Sequence, residues 1–284
     1  MDVRKMVFAG SWYPESAPAC ETAIAEFTAP APGKSDDGGP FIGGIVPHAG
    51  WVYSGRIACQ VIKRLKEPDP IDVVVLFGMH LHEQSANYMM DQGAWATPFG
   101  HIPVEEELAL YLKRHFPFQL ETPRRFVQDN TIELQMPLIH HLLSPAMVLG
   151  LGVAPRDSAP GIGEAVADWA VEQGKRLKVV GSTDLTHYGG NYGFSPHGSG
   201  DAALAWVREK NDRRLIDALL EMAPLRVIGE GLENQNACCA GAAAAAVAAA
   251  RRMGATRAQL LEYATSHDIT PGDSFVGYAG VAFG

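Results

Sequence analysis

Apolar runs and helical repeats take turns along this chain. Phe41–Val46 is a short apolar run that stops at Pro47 and leads into His48. Ser54–Lys66 follows, with Ile57, Ala58, Val61, Ile62 and Leu65 at helical spacing. Asp72–Phe77 (DVVVLF) is nearly continuous and β-branched, as expected of a strand buried on both faces, and ends in Gly78-Met79-His80. Met147–Val153 and Leu177–Gly181 read the same way, and the second runs into Ser182-Thr183-Asp184-Leu185-Thr186-His187. Helices are predicted over Ala19–Phe27, Thr131–Leu143, Gly161–Gly174, Asp201–Leu220 and Cys238–Met253. Another covers Glu105–Phe116, with acids in its first turn and Lys113, Arg114 and His115 in its last. Gln259–Thr265 and Phe275–Phe283 read as two closing strands joined by a Pro-Gly loop, and APAPGKSDDGGP (29–40) reads as a loop.

Strands alternating with helices predict an α/β fold with three α/β/α layers. The central sheet is expected to be largely parallel, with an antiparallel C-terminal extension. No repeat or low-complexity linker divides the sequence, so one domain over 1–284 is expected. A hydrophobic fraction of 47% is ordinary for a globular protein. The net charge of −9, without a Lys/Arg cluster longer than a pair, excludes a basic nucleic-acid-binding face. The longest apolar run, Ala237–Ala250, is mostly alanine and too short to span a bilayer, so no membrane insertion is expected. The start has no continuous apolar stretch of the signal-peptide kind. Cys20, Cys59, Cys238 and Cys239 form no C-x-x-C motif, so no disulfide framework is expected, and the compartment is expected to be the cytoplasm.

Ligands of open α/β sheets sit beyond the carboxyl ends of the parallel strands. Three strands deliver titratable groups there: His48, His80 and the Asp184/His187 pair. Two imidazoles with one more ligand hold a catalytic transition metal with open positions. Candidates for the third ligand are Cys238, Cys239, Asp184 and Glu133, with His82 a further possibility beside His80. A cysteine at a helix N-terminus favours thiolate, the form that binds metal. A carboxylate beside His187 would make it a general acid or base. Ser182 suggests a hydrolase nucleophile but lacks the flanking glycines of a nucleophile elbow. Trp12, Tyr13, Trp51, Tyr53 and Tyr192 sit in glycine-bearing loops and are candidates for a pocket wall. No glycine pattern matches a nucleotide fingerprint, and His115, His140, His141, His197 and His267 carry no such context.

In order, AGSWYP (9–14), GGIVPHAGWVYSG (43–55), LFGMH (76–80), WATPFG (95–100), IELQMPLI (132–139), GSTDLTHYG (181–189) and NACCAG (236–241) resemble the Memo family. That family includes the proteins called AmmeMemoRadiSam system protein B and is similar in fold to class III extradiol dioxygenases. The resemblance implies a metal held by His48, His80 and Cys238, with Asp184 and His187 as catalytic residues lining the same pocket. Trp12, Trp51, Tyr53 and Tyr188 are the expected substrate-binding residues. Two departures stand out. The family cysteine is normally followed by glycine, whereas here Cys239 follows Cys238, and Asp129-Asn130 replaces a Glu-His pair. The leading expectation is an oxidoreductase that activates O₂ at iron (Fe²⁺) or copper, acting on a small molecule or peptide. Rival expectations are a non-catalytic binding protein and a zinc-dependent hydrolase. An oligomer is compatible with the sequence.

Overall fold

The computed structural model describes residues 1–29 and 41–284, so most of the predicted loop at 29–40 lies outside the described residues. The chain opens with β1 (Val3–Arg4) and α1 (Ala17–Phe27). The main sheet starts with β2 (Gly43–Val46), followed by α2 (Trp51–Arg64) and β3 (Val73–Gly78). Short strands come next, β4 (Asn87–Met90), β5 (Ala94–Thr97) and β6 (Gly100–Pro103), then α3 (Glu106–His115) and β7 (Phe118–Glu121). α4 (Asn130–Glu133) and α5 (Met136–Leu143) precede β8 (Met147–Gly152), α6 (Ala159–Glu172) and β9 (Leu177–Ser182). The last third holds β10 (His187–Tyr188), α7 (Asp201–Trp206), α8 (Asp212–Leu220), α9 (Pro224–Asn234) and α10 (Ala240–Arg252). It closes with β11 (Ala258–Thr265) and β12 (Phe275–Phe283).

Nine strands form the main sheet in the order β10-β12-β2-β9-β3-β8-β4-β7, with β11 paired to β12. Its centre, β2-β9-β3-β8, is parallel, and these strands are apolar on both faces because helices cover both. Gly44 faces Val61 of α2, and on the other face Ile45 meets Gly181 beside Ala246 of α10. The result is the expected three-layer α/β/α fold, with β10, β11 and β12 as the antiparallel C-terminal extension. Antiparallel pairing also appears at the far side, where β4 runs against β8. That region was not predicted as strand, because four-residue segments are too short to display an alternation.

Two predicted helices are interrupted. Thr131–Leu143 divides into α4 and α5, because Pro137 in the first turn of α5 has no N–H to continue the ladder. Asp201–Leu220 contains a π-helical turn, Val207–Asn211, between α7 and α8. α9 was missed because Gly229 and Gly231 obscure its pattern; a Cβ on Gly231 would sit 2.5 Å from that of Ala240, so the glycine permits close packing on α10. Among the described residues, no helix is long and apolar enough to cross a membrane.

Candidate metal centre

The site follows from the order of three neighbouring strands. β2, β9 and β3 lie side by side and parallel, with Val46 opposite Ser182 and Gly181 opposite Phe77. Residues just past their carboxyl ends therefore emerge together. His48 follows β2, Asp184 follows β9 and His80 follows β3. Met79 turns the chain out of β3 with φ of 70°, a left-handed conformation that costs a non-glycine residue on the order of 1 kcal/mol. Thr131 Oγ1 holds that turn by accepting the Met79 N–H at 2.7 Å. Cys238 arrives from the opposite end of the chain, just before α10.

The donor atoms of His48, His80, Cys238 and Cys239 all lie within 4.8 Å of one another. His48 Nε2 is 3.2 Å from His80 Nε2 and 3.2 Å from Cys238 Sγ. The hydrogen bonds behind the rings fix their tautomers. Ser182 Oγ donates its proton to Thr131 O at 2.7 Å, so it can only accept from His48 Nδ1 at 3.0 Å. His80 Nδ1 donates to Asp129 Oδ2 at 3.0 Å. In the neutral rings both Nε2 lone pairs thus face each other, an arrangement satisfied by a cation between them, a metal ion or the proton that His80 holds in its absence. Tetrahedral bonds of about 2.05 Å to nitrogen and about 2.3 Å to sulfur would place these atoms about 3.3 and 3.6 Å apart. The observed contacts are shorter by about 0.1 and 0.4 Å respectively, so the donors fit a transition metal with little movement.

Electrostatics point the same way. For Cys238, burial opposes ionisation, yet hydrogen bonds from Cys239, His48 and His80 pull its thiol well below the ordinary range. The Asp184 N–H donates to its sulfur at 3.2 Å, so a strand-end amide supports the thiolate; Cys238 itself lies outside α10, which begins at Ala240. Burial and the adjacent Cys238 push Cys239 up. For His80, burial disfavours charge, but Asp129 and Cys238 outweigh it and raise the pKa to about 10. His48 is likewise raised against its burial, by Asp184 and Cys238. The pocket attracts positive charge.

The other sequence candidates fall in several places. Asp184 is not bonded to His187. Its Oδ1 accepts the His48 N–H at 2.7 Å and its Oδ2 stands 3.8 Å from His48 Nε2. His187 instead donates Nδ1–H to Leu185 O at 3.2 Å, with Tyr192 edge-on to its ring. Both line the same pocket, about 870 Å³ in volume, with Trp12, Trp51 and Tyr53 along its wall. Tyr188 does not line it. The ring is fully buried, stacked on Phe275, and its hydroxyl is bonded to Gly198 O and the His197 N–H, so the expectation that it binds substrate is corrected. Glu133 is also removed from the cluster, accepting from Val7, Phe8 and Tyr13. His82 is exposed and outside the donor group.

Sequence reasoning missed two orienting residues. Asp129 and Asn130 read only as a departure from Glu-His, yet Asp129 holds His80, and Asn130 donates to the His48 carbonyl at 2.8 Å. The available signal was Asp129 as a helix cap: its Oδ1 accepts the Thr131 N–H at 2.9 Å.

A Memo-like protein model matches residues 4–282. The chain belongs to the Memo family. A MEMO1 family protein of Methanococcoides burtonii is 31% identical to this Memo-family chain over 283 residues, covering 98% of this chain and 99% of the relative. One from Methanosarcina acetivorans is 30% identical over 287 residues, covering 99% of each. The structure of an uncharacterized protein, JW3007, from Escherichia coli K12 superposes with a TM-score of 0.49 at 13% identity. It covers 85% of this chain and 99% of its own length, a likeness too faint to bear on fold or function.

Proposed function

We propose that this Memo-family protein is a metal-dependent oxidoreductase, similar to the class III extradiol dioxygenases, whose iron or copper is held by His48, His80 and Cys238. The observation carrying this reading is the convergence of two imidazole Nε2 atoms 3.2 Å apart with a cysteine sulfur 3.2 Å from that of His48, beside an 870 Å³ pocket. When bound, the metal supplies redox chemistry with O₂ as co-substrate; a thiolate ligand suits iron, copper or zinc rather than magnesium or calcium.

The chain's own groups prepare the pocket. Asp129 and Ser182 hold the two imidazoles in the ligand tautomer. Asp184 places a buried carboxyl beside His48 and ties its backbone down. Because His187 spends Nδ1–H on Leu185 O, its Nε2 remains as the base that accepts a substrate proton. Trp12, Tyr53 and Tyr192, which line the pocket, receive the apolar body of a small molecule or a peptide side chain. Four free cysteines, one of them the thiolate ligand, suit a reducing compartment, and the cytoplasm is the proposed location.

The test is full-length protein freed of metal, then titrated anaerobically with Fe(II), Cu(I) and Zn(II) and assayed for O₂ uptake on a substrate panel. One metal per chain with O₂ uptake under iron or copper supports the proposal. Stoichiometric binding that survives His48→Ala with His80→Ala removes the site. Zinc-dependent hydrolysis without O₂ uptake would assign a hydrolase in its place.

A further inference from the structure

The ligand cysteine has a second cysteine beside it. Cys239 is buried and caps α10, and its Sγ lies 3.6 Å from Cys238 Sγ. Both thiols are free. In an extended chain, neighbouring side chains point to opposite sides. Here the backbone turns into the helix at Cys239 (φ −131°, ψ 53°), and both sulfurs face the same cluster. Their amides are anchored separately. The Cys238 N–H donates to Asp184 O at 3.2 Å, and the Cys239 N–H donates to Thr183 Oγ1 at 3.1 Å. The near contact between the sulfurs is therefore held in place by the fold.

We propose that Cys238 and Cys239 form a peroxide-responsive dithiol that closes to a vicinal disulfide and withdraws the sulfur ligand from the metal site. The loss of the ligand rests on the metal reading above; the disulfide does not. In the first step the Cys238 thiolate attacks one oxygen of hydrogen peroxide. The O–O bond breaks, hydroxide leaves and Cys238 becomes a sulfenic acid. Cys239 sulfur then attacks Cys238 sulfur, the S–O bond breaks, and the departing hydroxide takes the Cys239 proton as water. Overall, one thiolate, one thiol and one peroxide give a disulfide, one water and one hydroxide, and that hydroxide becomes the second water by taking up the proton Cys238 released on ionising. Cys238 retains partial exposure and is the sulfur a small oxidant reaches, whereas Cys239 is enclosed and acts as the resolving thiol. A disulfide sulfur carries no negative charge and is a poor substitute for thiolate at a metal.

The experiment uses full-length protein stripped of metal, treated with hydrogen peroxide, desalted, alkylated and mapped by mass spectrometry. The peptide holding both residues should lose two hydrogens, resist alkylation and recover with dithiothreitol. Cys239→Ser should instead accumulate added oxygen on Cys238. Wild-type protein that gains oxygen on Cys238 while Cys239 stays alkylatable overturns the proposal, as does no change at either sulfur. The desalted protein is then titrated with Co(II), whose thiolate absorption reports the ligand directly. Oxidised protein should bind Co(II) at least tenfold more weakly and regain affinity on reduction. A disulfide that leaves the cobalt spectrum and affinity unchanged overturns Cys238 as ligand, and the switch with it. Absence of the disulfide in protein that binds cobalt normally overturns the switch alone.

Discussion

Asp129 does two things at once: one oxygen caps α4 and the other fixes the ring of His80. Burial pushes its carboxyl up, but hydrogen bonds from His80 and Thr131 override this and hold it down to about 2. It is therefore charged at any pH where the protein would work. Asparagine also caps helices well, so Asp129→Asn should keep α4 capped, but it should lower the melting temperature by removing the charged partner of His80 and Thr131. Without the carboxylate behind His80, metal affinity should fall about 10- to 100-fold, as competition against a chelator would measure. Such residues mark the limit of what was readable at this scale. His48 and His80 were legible because each directly follows an apolar run. Asp129 and Ser182 act across 49 and 134 residues of sequence respectively, and nothing local announces those contacts. Ser182 even suggested a nucleophile, but its proton is committed to Thr131 O.

At the scale of elements, the alternation of long strands and helices was legible and helix irregularities were not. Periodicity cannot register the π turn Val207–Asn211, which adds a residue to the turn that carries Asn211 and leads into Asp212. Asp212 is buried and accepts from the Thr186 N–H at 3.0 Å, from Thr186 Oγ1 and from Tyr263, pinning the turn between Asp184 and His187. Burial raises its carboxyl to about 6, against those hydrogen bonds. Between pH 3.8 and about 6 the unfolded chain gives up this proton while the folded chain keeps it. Wild-type protein therefore loses the corresponding stability as pH rises through that window. Asp212→Asn cannot lose it. The stability of the variant relative to wild type should rise by up to about 3 kcal/mol from pH 4 to pH 7, measured by urea unfolding at each pH. A pH-independent difference would dismiss the titration of Asp212. Helix packing gives a simpler prediction. A Cβ on Gly163 of α6 would stand 2.0 Å from the carbonyl oxygen of Ala245 in α10. Gly163→Ala should thus cost about 1–3 kcal/mol through overpacking, lowering the urea midpoint with little change in m-value.

For the molecule as a whole, metal binding at this site would be coupled to stability, because the donors come together only in the folded chain. A metal present at about 1,000 times its dissociation constant would add about 4 kcal/mol. Chelation should therefore lower the melting temperature by roughly 7 °C in wild type, as calorimetry would record. His48→Ala with His80→Ala should show no chelator-dependent shift. The gross architecture behind this coupling was readable from the alternation of apolar runs and helices, since parallel neighbours force their carboxyl ends to one edge. Which strands are neighbours was not readable, and β9 lying between β2 and β3 is what brings Asp184 and Ser182 into the cluster.

Those long sequence separations also set a timetable. His48 and Cys238 are 190 residues apart, so at ordinary synthesis rates a ribosome delivers the thiol roughly 10–40 s after the imidazole. β12, the strand that flanks β2, is made later still. A nascent chain can therefore present histidines but not the full donor set until nearly all of it has emerged. A metal captured at this site would consequently seal a finished chain and could not nucleate its folding. Cells starved of metal would accumulate folded, unsealed protein, and would be able to load it without unfolding it again.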